Sequence, residues 1–266
     1  MNTIIKVYRF LFARKIFYKL NKFLFRCSLS GLGILNYESD KVSGEDSFLR
    51  RYLKNKKDVV IIDVGANVGN YSKKVMEINS SAIVYAFEPH PKSYTKLKMA
   101  IKSENFHPIN SAVSDHAEVL ALYDYEVLDG SAHASLYQDV IENIHHEKSC
   151  KHEVQTIILS EFFSANNISE VGLLKIDTEG NELKVLMGIT EFIESGKIRL
   201  IHFEFNEMNV SSKVYFRDFW NMLSNYHLYR LLPSGMIKIE NYRPVYCELF
   251  AYQNIVAVLK DYDPFG

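Results

Sequence analysis

The sequence predicts a doubly wound, mostly parallel α/β sheet preceded by a basic amphipathic helical extension. Three observations carry this. Short apolar runs recur at residues 59–64, 83–87, 173–177 and 198–205, with amphipathic stretches between them. Runs of that length without alternation suit parallel strands buried on both faces. The first run ends in Asp63 and turns through Gly65 and Gly69 into a polar, amphipathic stretch, as a strand does when it passes sharply into a helix. Repeated units of this kind favour a sheet wound on both sides by helices.

Composition sets the outer bounds. A chain of 266 residues, 47% hydrophobic, can bury a sizeable core. The net charge of -1 supplies no bulk field for nucleic acid. Three widely separated cysteines, Cys27, Cys150 and Cys247, suggest neither a disulfide framework nor a zinc pattern and suit a reducing compartment, so the expectation is a cytoplasmic protein. No apolar run reaches the roughly 18 residues of a spanning helix.

Residues 1–42 read as the extension and 43–266 as the α/β domain. Residues 1–26 carry seven Lys and Arg and no acid, interspersed with large apolar residues. As a helix, this segment can lie on the inner face of an anionic membrane. The alternative is packing on its own domain or on a second subunit. Gly31-Leu32-Gly33 breaks the pattern, and Asp46–Leu53 reads as a short helix with Leu49, Tyr52 and Leu53 on its apolar face.

The first strand is expected at Val59–Val64 and its helix from about Gly69 to Ile78. The second strand is Ile83–Phe87; Pro89 keeps Glu88 in extended backbone at its end. Pro91 suits the first turn of a helix running to about Lys102. Phe106–Val113 is read as a third strand, Glu118–Tyr125 as an added antiparallel strand, Asp129–Ser135 as a polar loop and Val154–Ile158 as a further strand. Leu173–Asp177 and Ile198–Phe205 are core strands. The helix after Asp177 presents Leu183, Leu186 and Met187. Tyr215–Leu223 is helical, and Tyr229–Leu232 with Asn254–Leu259 completes the sheet as an antiparallel pair.

In an open α/β sheet, ligands bind at the carboxyl ends of the strands. Asp63, Glu88, Asp115, Asp177 and Glu204 stand there. The turn Gly65-Ala-Asn-Val-Gly69 lacks the three-glycine spacing of a dinucleotide fingerprint, and there is no P-loop. That disfavours an oxidoreductase and points to a nucleoside without a pyrophosphate. Glu88 can accept both ribose hydroxyls, and Ser114 with Asp115 can hold the adenine edge. Asp177, Glu179 and Glu204 form a second group, nearer an acceptor. Asp177 is the first candidate for base or orienting group, Glu204 the second and His133 the third. Asp177 and Glu204 can alternatively hold a divalent ion, and Glu182 is expected to cap its helix. The stretch from His145 to His152 matches no closed metal pattern and reads as a solvated loop, so no metal site is assigned. His202 reads as a satisfied core histidine.

Five pieces of this chain, in order, resemble the FkbM-type methyltransferases. They are Ile62-Asp-Val-Gly-Ala-Asn-Val-Gly-Asn-Tyr71, Ala86-Phe-Glu-Pro89, Asn110-Ser-Ala-Val-Ser-Asp115, Ser131-Ala-His-Ala-Ser-Leu136, and Leu174-Lys-Ile-Asp-Thr-Glu-Gly-Asn-Glu182 with Val185-Leu-Met-Gly188. The resemblance covers roughly residues 43–260. It implies a class I methyltransferase (Rossmann-like) fold, S-adenosylmethionine as donor, and O-methylation of a saccharide, glycolipid or related hydroxyl. By the same resemblance, Asp63, Gly65, Asn67 and Gly69, with Tyr71 closing the motif, meet the methionine end of the donor. Glu88 holds the ribose, Ser114 and Asp115 the adenine side, and Asp177 and Glu179 the catalytic face. Residues 131–135 lie where an acceptor lid is expected. The usual aliphatic residue after Lys-Ile-Asp is Thr178 here, and the extension lies outside the shared pattern. The competing reading is a non-catalytic nucleoside-binding or scaffold protein of a membrane-associated glycan assembly.

Overall fold

The structure, a computed structural model, describes residues 2–127, 130–131, 134–144 and 146–266. Eleven strands follow in chain order among these residues: β1 Val60–Val64, β2 Ile83–Phe87, β3 Phe106–Ile109, β4 Ala112–Val113, β5 Val119–Tyr125, β6 Ser149–Ile157, β7 Val171–Ile176, β8 Ile198–Phe205, β9 Tyr226–Leu232, β10 Gly235–Lys238 and β11 Gln253–Leu259. The helices before β1 are α1 Asn2–Phe12, α2 Tyr18–Gly31, α3 Asp40–Ser43 and α4 Glu45–Leu53. α5 Asn70–Ile78 and α6 Pro91–Ala100 link the first three strands. α7 Leu159–Ala165, α8 Glu182–Met187, α9 Thr190–Glu194, α10 Met208–Ser212, α11 Phe216–Met222 and α12 Pro244–Cys247 follow.

The main sheet has the order β10-β9-β11-β8-β7-β1-β2-β3. β3, β2, β1, β7 and β8 run parallel, and β11 lies antiparallel to both β8 and β9. This is the class I methyltransferase architecture. After β3 the chain leaves the sheet and re-enters at β7, on the other side of β1. That reversal opens a crevice above the carboxyl ends of β1 and β7.

Both faces of the strands are covered. Ile62, Val64, Leu174, Ile176, Ile201 and Phe203 pack on one side, and Ile61, Leu173, Leu200 and Val256 on the other. Each such side chain stabilises the fold by about 1.5–3 kcal/mol on burial, so the register of the strand ends is held firmly. Phe48, Leu49, Tyr52 and Leu53 of α4 are buried against the second face. Leu29 and Ile34 are buried as well, and Ile34 bridges to Gln253.

The structure departs from the expected elements in four places. The third strand ends at Ile109, because Asn110 Nδ2 donates to the carbonyls of Glu88 (2.9 Å) and Pro89 (3.1 Å) and turns the chain. Ala112–Val113 pairs instead with Thr156–Ile157 in a separate three-stranded sheet, order β4-β6-β5. β5 is antiparallel as expected, but its partner is β6. Part of the presumed solvated loop is strand: β6 begins at Ser149, and its polar residues face outward from a small sheet with one packed face, so apolar run length did not reveal them. His145 and His133 lie outside the described residues. In α8 the buried residues are Glu182, Val185 and Leu186, while Met187 is 48% exposed: the packed face is set about one residue earlier than the expected Leu183, Leu186 and Met187.

Candidate active site

Two cavities meet at the carboxyl ends of β1, β2 and β7. The first, about 550 Å³ counting space open to solvent, is lined by Gly65, Asn67, Glu88, Pro89, Val113 and residues 177–179, among others. The second, about 1100 Å³ and open to solvent, is lined by Asp63, Gly65, Asn67, Tyr71, Lys175 and Asp177 together with residues of α3 and α4. Gly65, Asn67 and Asp177 belong to both walls.

Backbone closeness shapes this junction. Gly65 has φ +80°, and a Cβ there would stand 1.7 Å from the Asp177 carbonyl oxygen. The amides of Gly65 and Ala66 donate to Phe87 O at 3.0 and 2.9 Å, and that of Asp177 to Val64 O at 2.9 Å. Three strand ends are thereby tied into one floor. Asn67 has φ +48°, a left-handed conformation that asparagine tolerates better than most residues. Gly69, φ +89°, starts α5 and packs against Leu97 of α6, away from either lining.

Glu88 is buried and held from both oxygens: Oε2 accepts the Asn67 amide at 2.8 Å and Oε1 the His90 amide at 2.7 Å. Burial pushes its carboxyl up to about 7 against those two bonds. Asp63 is also buried. Its Oδ2 accepts the Ser72 hydroxyl at 2.5 Å, and burial raises it to about 6. Ser114 and Asp115 follow β4, outside the lining; Ser111, Ala112 and Val113 face the cavity instead. The Ser114 hydroxyl donates to Asp115, and Asp115 pairs with His116 at 3.2 Å. Ser131 and Ala134, expected to border an acceptor lid, line the first cavity. Asp124 fixes that wall by accepting the amides of Gly130 and Ser131 at 2.7 and 2.9 Å and the Ser131 hydroxyl at 2.5 Å.

Lys175 organises the second cavity. Its ammonium is buried, 3.6 Å from carboxylate oxygens of Glu45, Asp177 and Glu204, and lies over the Tyr71 ring at 5.7 Å. Burial disfavours its charge, but Asp177, Glu204 and Glu45 outweigh that and hold the lysine well above its usual range. One ammonium cannot balance three carboxylates. Glu204, the most enclosed of them, is pushed well above the usual carboxylate range by burial and by Asp177. Asp177 has a side chain 35% exposed and reaches both cavities. The ammonium stands where the sequence reading offered Asp177 and Glu204 to a divalent ion. Glu179, φ +52°, lines the first cavity, and its carbonyl accepts the Ser135 hydroxyl at 2.7 Å. Glu182 does not cap its helix as expected: it reaches back to accept the amides of Thr178 (3.1 Å) and Gly180 (3.0 Å), ahead of α8, and so braces the turn after β7. His202 is fully buried between the Tyr71 hydroxyl (3.2 Å) and Asn254 Oδ1 (2.9 Å), and burial keeps it neutral.

Sequence reading passed over Lys175 and Glu45. A lysine inside an otherwise apolar strand followed by an acid was the available signal, since an unpaired ammonium is not buried. Lys175→Met should destabilise the protein by about 3–5 kcal/mol at pH 8, through carboxylates left without a counter-charge. The loss should shrink toward pH 5 as Glu204, whose carboxyl burial raises, takes up a proton. Denaturant unfolding at the two pH values checks this, and a loss below about 1 kcal/mol at both would refute it.

The first cavity suits the nucleoside donor that the resemblance implies. Asn67 Oδ1 and Asn181 Oδ1 are buried with no hydrogen-bond partner among the described residues, and both residues line the cavity. Glu88 lies at its wall, and Gly65 keeps the floor free of a Cβ.

Comparison with known proteins agrees. Residues 63–231 match the methyltransferase FkbM domain. The 2-O-methyltransferase NoeI of Sinorhizobium fredii is 23% identical over 202 residues, covering 69% of this chain and 79% of that protein. The hexuronic acid methyltransferase AglP of Haloferax volcanii is 29% identical over 157 residues, 57% of this chain and 59% of that protein. The second match therefore spans little more than half of the relative's length. Among solved structures, the precorrin-6y C5,15-methyltransferase of Geobacter metallireducens superposes with a TM-score of 0.42 at 9% identity, covering 81% of this chain and 87% of that one. With a family match that runs from Asp63 through Glu88 and Asp177 to beyond Glu204, the chain belongs to the FkbM family of S-adenosylmethionine-dependent methyltransferases.

Proposed function

We propose that this chain methylates a hydroxyl of an uncharged saccharide or glycolipid. The observation that carries the reading is the pair of joined cavities, one with the buried Asn67 and Asn181 oxygens in its lining and one walled by charged side chains, sharing Gly65, Asn67 and Asp177 as a common wall. S-adenosylmethionine, when bound, supplies an electrophilic methyl group. Glu88 holds the ribose, and Asp63, Gly65, Asn67 and Tyr71 border the methionine end. Asp177 accepts the proton of the acceptor hydroxyl, and Lys175 beside it fixes the carboxylate in place. Glu204, enclosed beside the Lys175 ammonium and with its carboxyl raised by burial, supports Lys175 rather than acting as base. Positioning of the two substrates across the shared wall contributes most of the rate, and proton removal a further 10²–10⁴-fold, approximately.

The second cavity is lined by five carboxylates, Asp40, Glu45, Asp46, Asp63 and Asp177, and by two ammonium groups, Lys74 and Lys175. Both ammonium groups are already paired with acids: Lys74 with Asp40 at 3.0 Å and Asp46 at 2.9 Å, and Lys175 as described. Such a wall offers many acceptors to sugar hydroxyls and repels an anion. The named substrate class of one relative is hexuronic acid; this lining favours a neutral acceptor instead. We further assign the chain to the cytoplasm, supported by Cys27, Cys150 and Cys247, which form no disulfide. Transfer of tritiated methyl to neutral and uronate-bearing glycans tests the acceptor reading. Labelling of neutral hydroxyls by at least about tenfold over uronates is expected, and preferential labelling of uronates would overturn it.

A further inference from the structure

The N-terminal helices leave apolar and basic surface uncovered. Ile4, Val7, Tyr8, Leu11 and Phe12 line an apolar groove along α1. On α2, Leu20, Phe23 and Leu24 follow at i, i+3 and i+4, and Lys19, Lys22 and Arg26 form a stripe beside them at i, i+3 and i+7. The Tyr8 hydroxyl donates to Asn21 Oδ1 at 2.5 Å and Asn21 Nδ2 to Phe12 O at 3.0 Å, which ties the two helices together. Phe10 is 75% exposed, Ile16 82% and Phe23 62%; within α2 the buried residue is Leu29. Residues 3–28 are all exposed or half-buried, so the domain behind buries none of their side chains. Apolar surface this extended is stable in water only when a partner covers it.

The charge pattern selects the partner. Residues 2–26 contain seven Lys and Arg and no acid. A second copy of the segment would bring a matching set of seven cations against the first, with no anion to offset the repulsion. An anionic lipid surface supplies both needs: acyl boundary for the apolar faces and headgroup charge for the cations. We propose that residues 2–26 form a docking surface for anionic phospholipid membranes. α2 ends at Gly31, and Ser39 and Asp40, a short way along the chain, already wall the open cavity. The helices therefore hold that cavity near the lipid surface. This inference rests on the extension alone and stands apart from the choice of acceptor.

Sedimentation of the full chain with vesicles tests it. Vesicles with about one third phosphatidylglycerol in phosphatidylcholine should bind the chain at least about tenfold more strongly than phosphatidylcholine alone. Raising salt from about 0.1 to 0.5 M should weaken that binding by a similar factor. Leu20→Ser, Phe23→Ser and Leu24→Ser together, and separately Lys19→Gln, Lys22→Gln and Arg26→Gln together, should each lose binding at least about tenfold. These positions are exposed, and unchanged calorimetric binding of S-adenosylhomocysteine certifies the fold of each variant. Equal binding to neutral vesicles, no binding to anionic ones, or a soluble dimer that the triple Ser variant dissociates while anionic vesicles fail to bind it, overturns the proposal.

Discussion

Replacing Glu88 by Ala should weaken S-adenosylhomocysteine binding by about 10²–10⁴-fold. Two ribose hydroxyls donated to a buried carboxylate are worth about 1.5–3 kcal/mol each, and the amides of Asn67 and His90 lose their acceptor as well. Isothermal calorimetry measures the loss; an affinity within about threefold of the parent would remove Glu88 from the donor site. The raised carboxyl adds a pH signature. Burial puts Glu88 at about 7, so below that pH it carries a proton and accepts less well from the ribose. Donor affinity should therefore fall by up to about tenfold per pH unit below 7, and Glu88→Gln should flatten the profile. Stability of the ligand-free fold runs the other way. A carboxyl raised in the folded state favours folding below its unfolded value and loses that contribution as pH rises through about 7. The two titrations are thus separable in one protein.

Asp177→Asn should lower turnover by about 10²–10⁴-fold and leave donor binding within about threefold of the parent, because the change removes the proton acceptor and one counter-charge of Lys175 but keeps the side chain's size at the shared wall. Its neighbour gives the contrast. Glu204 is enclosed, and its carboxyl is raised by burial and by Asp177. Glu204→Gln keeps its shape beside Lys175 and should cost less than about tenfold in turnover. Single-turnover methyl transfer under saturating donor compares them. Equal losses in the two variants, or an unimpaired Asp177→Asn, would move the base elsewhere.

Much of the scaffold was legible in the chain. β2 and β8 fall on their expected bounds, and β1 is shorter by one residue. Strands buried on both faces write themselves as continuous apolar runs, and Pro89 and Pro91 mark the turn between β2 and α6. The strand-end acids Asp63, Glu88 and Asp177 were legible for the same reason: a carboxylate that closes an apolar run stands at the sheet's edge. The small sheet was hidden, because β6 is polar on its outward side and pairs at long range with β4 and β5.

By itself, then, the sequence determined the order of the main parallel strands, the strand-to-helix turn at Gly65 and a nucleoside ligand without a pyrophosphate, since all three rest on local patterns, and its motifs resemble those of a family that uses S-adenosylmethionine. Tertiary structure decided the rest. It set Ser114 and Asp115 behind the cavity wall, since Asn110 turns the chain out of the main sheet. It brought Glu45 of α4 and Glu204 of β8 to the one ammonium of Lys175, and thereby divided the acids into an enclosed one whose carboxyl is raised and one that faces both cavities. The proton affinity of a carboxylate depends on what surrounds it in space, and residues distant along the chain become neighbours only when the sheet closes.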